Sequence, residues 1–327
     1  NLKSIIFLFL ILFLTLFIAE TSLRLYEKFF EHVPFSRSPK DFYEPLLGWE
    51  GKKVWGDPSG KKYKILVIGD SFTDGMGVPE ENMYYRVLAG RLGADLFIYG
   101  GVGYGTLQEY LVLEKYYDQL HPDLVILQTY SNDFINNSWE LESRSFRNNN
   151  QMIRPYWRNG KIEYLYPCAW GRQKFILSSY SRLFYRIFHS LQKWYTLLAK
   201  KHYFAMHTVE DIIEGEGGAN FKDFRVSVNT TELLMRKIKD KAAQTPVIAF
   251  ATDNIEPYFK MFDEIFKRSH ITFIDGLPAL LVHNENLGVS LFLKNGHWNK
   301  AGHKIVGDFL AGEVYRLERK GRTSNGG

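Results

Sequence analysis

Residues 64–75 read KILVIGDSFTDG. Ile65-Leu66-Val67-Ile68 is an apolar run of the length expected for a strand buried on both faces, as parallel strands are. Gly69 then ends the pattern and lets the backbone turn sharply. Asp70 and Ser71 therefore fall at the carboxyl end of a buried strand, where open α/β sheets put their ligands. Both residues also cap helices well, so the stretch alone reads equally as a helix N-cap and as a seryl nucleophile.

Runs of the same kind recur at Leu96–Tyr99, Leu124–Thr129, Val247–Ala251 and Ile271–Ile274. Helical patterns lie between most of them, over Asn82–Leu92, Thr106–Gln119 and Thr230–Ala243. Strands alternating with helices predict an α/β fold whose mainly parallel sheet is covered on both faces. From Phe134 to about Val228 the rhythm breaks. That gap holds a hairpin pattern, RPYWRNGKIEYLYP, turning at Asn159-Gly160, and an aromatic-rich helix near Ser179–Lys200. It reads as an insertion folded over one end of the sheet.

The chain has 327 residues, 45% hydrophobic and 24% charged, an ordinary globular composition. Its net charge of +5 is spread over scattered basic pairs rather than gathered in a stripe, so nothing supports a nucleic-acid partner. Cys168 is the single cysteine, which excludes an intrachain disulfide and a cysteine-rich zinc site. Residues 5–19, IIFLFLILFLTLFIA, carry one polar side chain, Thr15. At ~1.5 Å per residue the run covers about 22 Å, short of a ~30 Å hydrocarbon core and within the range of a signal-peptide core. No small-residue cleavage motif follows, and Lys3 and Arg24 can snorkel to lengthen the span. The reading is an uncleaved single-pass anchor over residues 1–25, a lead-in over 26–63, the main domain over 64–318, and a disordered tail at 319–327.

Three further blocks are weak one at a time. YGGVGYGT, residues 99–106, fails the G-x-G-x-x-G test, because the sixth place is Thr106 or Gln108. In QTYSNDF, residues 128–134, Asn132 alone is a turn residue. In KNGHWNKAGHK, His297 precedes an amphipathic helix and His303 sits at its start.

Together and in this order, the four blocks resemble the SGNH (GDSL-like) serine hydrolases over roughly residues 64–315. GDSFTDG, G-G-V-G-Y-G-T, SND and GHWN-x-x-GH carry the resemblance, and the anchor, the insertion and the H-W-N variant are similar to membrane-anchored bacterial members. It implies a three-layer α/β/α sandwich of flavodoxin-like type, with no cofactor and no metal. It implies Ser71 as nucleophile, His297 as its base, and an oxyanion hole from the Ser71 and Gly100 amides and the Asn132 side chain, with Asp70 supporting. Gly101 is an alternative register for Gly100. Many members carry an aspartate three or two residues before the histidine, where this chain has Lys294 and Asn295. His297 would then be oriented by a backbone carbonyl, by Asp275, or by an aspartate formed from Asn295 in the Asn295-Gly296 pair. A degraded site that only binds remains open.

The activity implied is a membrane-anchored serine esterase acting outside the cytoplasm on an O-acylated glycan or lipid-linked substrate. The alternatives are an O-acyltransferase modifying an exported polysaccharide and a non-catalytic glycan-binding protein.

Overall fold

The computed structural model describes residues 1–30, 43–60, 62–145, 147–202, 208–215 and 218–324. The apolar runs form five parallel strands: β2 (Lys64–Gly69), β3 (Asp95–Gly100), β4 (Leu124–Thr129), β7 (Val247–Ala251) and β8 (Thr272–Ile274). A sixth, β1 (Lys52–Trp55), pairs antiparallel with β3, and the sheet order is β1-β3-β2-β4-β7-β8. Numbered by appearance, the parallel strands run 2-1-3-4-5, the doubly wound order with its switch point between β2 and β4.

Strand side chains alternate between faces. Ile65 and Val67 of β2 join one core cluster with Tyr84 and Leu88 of α3 (Tyr84–Leu92), Leu277 of α12 (Leu277–Asn286) and Val306 of α13 (Lys300–Ser324). The opposite face, with Leu66 and Ile68 fully buried, carries α4 (Thr106–Leu120), α10 (Lys222–Ala242) and α11 (Tyr258–Arg268). The result is the α/β/α sandwich. Short helices α2 (Ser71–Asp74), α5 (Asp133–Asn136), α6 (Trp139–Glu142) and α9 (Val209–Glu214) sit in the connections. The hairpin forms as β5 (Arg154–Arg158) and β6 (Lys161–Leu165), with Asn159 and Gly160 at positive φ in its turn.

Three details depart from the expectations. Strand β1 lies inside the lead-in, where KKVW has too few apolar residues to register as a strand; lysines suit an edge. Helix α10 starts eight residues before Thr230 because its buried face there runs through Phe224, Ser227 and Thr231. Small polar residues hide that face from an apolar-periodicity reading, and Ser227 donates its hydroxyl to the Phe134 carbonyl. Helix α13 runs to Ser324, through residues 319–324 of the expected tail, and basic residues suit a helix's last turns.

The chain divides into two compact units. The sandwich unit comprises Glu50–Asn150, Pro155–Leu165 and Thr208–Gly327. The other comprises Asn1–Trp49, Gln151–Arg154 and Tyr166–His207. It holds α1 (Leu2–Phe30), α7 (Gly171–Tyr180) and α8 (Arg182–His202). Helix α1 is long and apolar enough to cross a membrane, and its Thr15 hydroxyl is satisfied within the helix by the Ile11 carbonyl at 2.8 Å.

Candidate active site

Ser71 opens α2 immediately after β2 and is 8% exposed. Asp70 is the N-cap: its Oδ1 accepts the Phe72 amide at 2.9 Å, fixing the turn that aims Ser71 out of the strand. Beneath the turn, Gln128 Oε1 accepts both the Asp70 amide at 3.0 Å and the Thr73 hydroxyl at 2.9 Å. Thr73 Oγ1 also meets Tyr84 Oη at 2.8 Å. Gly69 is needed in this packing, since a Cβ there would come within 2.5 Å of both Gln128 Oε1 and Thr73 Oγ1. Gln128, Thr73 and Tyr84 were absent from the sequence-based site; a glutamine inside a buried strand was their available signal.

His297 arrives from the far end of the chain. The three residues Lys294-Asn295-Gly296 form a tight loop, with the Leu293 amide bonded to the His297 carbonyl at 2.7 Å and the Gly296 amide to the Leu293 carbonyl at 3.0 Å. Gly296 takes φ +85°, the left-handed third position that such three-residue hairpin loops require. Asn295 Oδ1 accepts the His297 backbone N–H at 3.1 Å. Trp298, fully buried, plugs the core behind, and Asn299 caps α13 through Ala301 N at 2.8 Å and Gly302 N at 3.1 Å. The H-W-N triplet thus divides into a presented imidazole, a core anchor and a helix cap.

These two loops bring His297 Nε2 to 2.8 Å from Ser71 Oγ. The Phe72 ring lies 4.9 Å from the imidazole, centroid to centroid, and shields it. Burial holds the His297 pKa below the ordinary histidine value, and the Asn295 backbone partly offsets this. That offset is what a carbonyl oxygen facing the ring would supply, yet Nδ1 is buried and makes no hydrogen bond of good geometry. Neither expected side chain fills the place. Asn295 spends its oxygen on the His297 backbone, and Asp275 is exposed and acts on Arg316. Sequence spacing cannot show that a nearby amide is consumed by its own turn.

Gly100 also departs from the expected role. Gly101 N–H donates to the Gly69 carbonyl at 3.1 Å, so by strand alternation the Gly100 amide faces away from β2 and toward β1, where Lys52 is its register partner. Gly101 is likewise committed. Gly100 instead permits close packing: a Cβ would lie 2.5 Å from Asp74 N of α2. Asn132 stands on the loop after β4, half-buried, with its Oδ1 unpartnered. His303 is structural: it is buried, accepts the Tyr84 amide at 3.4 Å, and burial pushes its pKa down to about 4.

Under the site lies a set of buried acids. Burial pushes Asp70 up to about 7, and it raises Glu109 and Asp133 well above the carboxylate range; repulsion from Asp253 adds to Asp70, from Asp70 to Glu109, and from Glu109 and Asp70 to Asp133. Among the described residues, no group of three or more histidine, cysteine or acidic side chains is arranged to hold a metal. A cleft of about 590 Å³ opens between the hairpin, α6 and α10, lined by Trp139, Trp157, Glu140, Arg158 and Asn229, and contains neither Ser71 nor His297. Of the aromatic residues of the insertion, Tyr156 is core, bonded to Glu142 at 3.0 Å.

The serine–imidazole contact therefore lies at the carboxyl edge of a doubly wound sheet. A model of the GDSL-like lipase/acylhydrolase family matches residues 65–310, and the chain belongs to that family. Among solved structures, it is similar to the psychrotrophic esterase EstA from Pseudoalteromonas sp. (13% identity, 79% of this chain and 99% of that one, TM-score 0.42). It is also similar to a catalytic mutant of Axe2, an acetylxylan esterase from Geobacillus stearothermophilus (15%, 79% and 96%, 0.39). A third is the lipase/acylhydrolase from Enterococcus faecalis (13%, 77% and 94%, 0.41). A comparison with curated proteins returned no significant match.

Proposed function

We propose that the protein is a membrane-anchored serine esterase that removes acyl groups from an O-acylated glycan or lipid-linked substrate outside the cytoplasm. The observation that carries the chemistry is the 2.8 Å contact between Ser71 Oγ and His297 Nε2. In this reading neutral His297 takes the Ser71 proton as the hydroxyl attacks the ester carbonyl. The oxyanion is met by the Ser71 amide and the Asn132 side-chain amide, each such donor being worth about 3 kcal/mol in the transition state. The alcohol leaves with the proton from His297, and water then releases the acyl group from Ser71. Helix α1 is the anchor, supported by its length and apolar composition.

The unpartnered Nδ1 favours a second reading, a site that binds acylated glycans without turnover. In the serine-protease triad, replacing the orienting aspartate by asparagine lowers turnover about 10⁴-fold. A fluorophosphonate probe separates the two. Esterase chemistry requires labelling at Ser71, lost in Ser71→Ala and His297→Ala, with parallel loss of short-chain nitrophenyl ester hydrolysis. An unlabelled, inert protein whose Ser71→Ala variant keeps glycan affinity supports the binding reading.

A further inference from the structure

Helix α8 carries an apolar stripe that stays exposed among the described residues. Phe184, Ile187, Leu191, Trp194 and Leu198 follow a 3-4-3-4 spacing, so they share one face, and each is between 38% and 62% exposed. The same helix carries five basic residues and no acidic one. Its first turn is fastened to α1. Glu20, the residue that closes the apolar run of α1, accepts the amides of Arg182 and Leu183 and the hydroxyl of Ser181, all at 2.8 Å. Glu27, buried, pairs with Arg186 at 2.8 Å and Arg182 at 3.4 Å. Glu20, Arg24 and Glu27 lie at i, i+4, i+7 on α1, one face, and Arg24 reaches the Tyr180 carbonyl at 3.3 Å. The polar face of α1 is therefore turned onto α7 and α8, while Tyr26, Phe29 and Phe30 stay exposed.

We propose that α8 is a second lipid-contacting element, its apolar stripe seated in the bilayer beside the end of α1. A helix with a strongly apolar face and a basic remainder is the pattern of an interfacial helix on anionic lipid. Charge argues against pairing with a second copy, since two α8 helices would juxtapose only positive charges. Aromatic Trp194 suits the headgroup boundary. This rests on the reading of α1 as an anchor.

The test uses the full chain with Cys168→Ser, spin-labelled at single cysteines and reconstituted in phosphatidylcholine–phosphatidylglycerol bilayers. Labels at Leu191→Cys and Trp194→Cys are expected to be several-fold more accessible to oxygen than to a water-soluble nickel complex, and a label at Lys193→Cys, about 200° around the helix from Leu191 by spacing, to show the reverse. Leu12→Cys reports α1 separately. If the label at Leu12 is deep while those at 191 and 194 meet the nickel complex as the one at 193 does, the α8 proposal is wrong and the anchor stands. If the label at Leu12 is in water, both fall. Spin–spin broadening at 191 that vanishes on dilution with unlabelled protein assigns the stripe to a second copy and overturns the proposal. Unsubstituted Trp194 offers an independent check: brominated lipids should quench a component of emission that Trp194→Phe lacks.

Discussion

Replacing Asp70 by asparagine isolates what a buried carboxyl contributes beneath the candidate nucleophile. Asp70 is fully buried; its Oδ1 caps Phe72 and its Oδ2 has no partner. Burial is the main reason its pKa rises to about 7, with the Phe72 amide and Gln128 pulling the other way and Asp253 adding repulsion. An ordinary carboxyl ionises near 4, so between about pH 4 and 7 the folded protein holds a proton that the unfolded chain has released. The sign follows: this stabilisation is full below pH 4 and is lost as pH rises to 7. At about 1.36 kcal/mol per unit, three units correspond to roughly 4 kcal/mol.

Asparagine keeps the cap acceptor but buries a new N–H, a pH-independent cost of about 1–3 kcal/mol. The variant is therefore expected to be less stable than the parent at pH 4.5 and to gain on it steadily up to pH 8. Glu109 and Asp133 steepen the gain, since the Asp70 charge is part of what raises both. Urea unfolding of the full chain in mild detergent, followed by tryptophan emission across this range, reads the difference directly. A stability difference flat with pH to within about 0.5 kcal/mol would mean that Asp70 is not protonated in the fold, and the reasoning fails.

Gln128→Leu strands the buried Asp70 amide and leaves the Thr73 hydroxyl only Tyr84 Oη as partner; denaturation should show a loss of about 1–3 kcal/mol, with weaker probe labelling of Ser71. Because burial depresses the His297 pKa, kcat/KM for ester hydrolysis should hold as pH falls to about 6.5 and decline only below it; an acid limb centred above that value would indicate a hidden carboxylate partner. Gly100→Ala forces a Cβ to within 2.5 Å of Asp74 N, so melting temperature and Ser71 labelling should fall together; a variant that melts normally would refute the packing role.

How much of this was legible in the sequence depends on the range of the forces involved. Buried parallel strands announce themselves, because both faces must be apolar; β2, β4 and β7 fall within a residue of their apolar runs. The Ser71–His297 contact joins residues 226 apart and was legible only because four short blocks occur in one order. Edge strand β1 was not legible, since lysines that protect an edge also erase the apolar signal. The Gly100 amide is turned by strand alternation toward that strand, so its departure from the expected oxyanion role involves a tertiary pairing that the sequence does not show. The loop before His297 is the reverse case. Lys294-Asn295-Gly296 is good hairpin chemistry, and Asn295 serves the turn rather than the imidazole. The position where the resemblance implies an orienting group has here been given to local folding, and the imidazole is held by packing on Phe72, which in turn packs on Trp298. If hydrolysis is found, it proceeds with an imidazolium that burial disfavours and that the Asn295 backbone only partly supports, which predicts a base that stays neutral to lower pH than an ordinary histidine and gains from any carboxylate restored beside it.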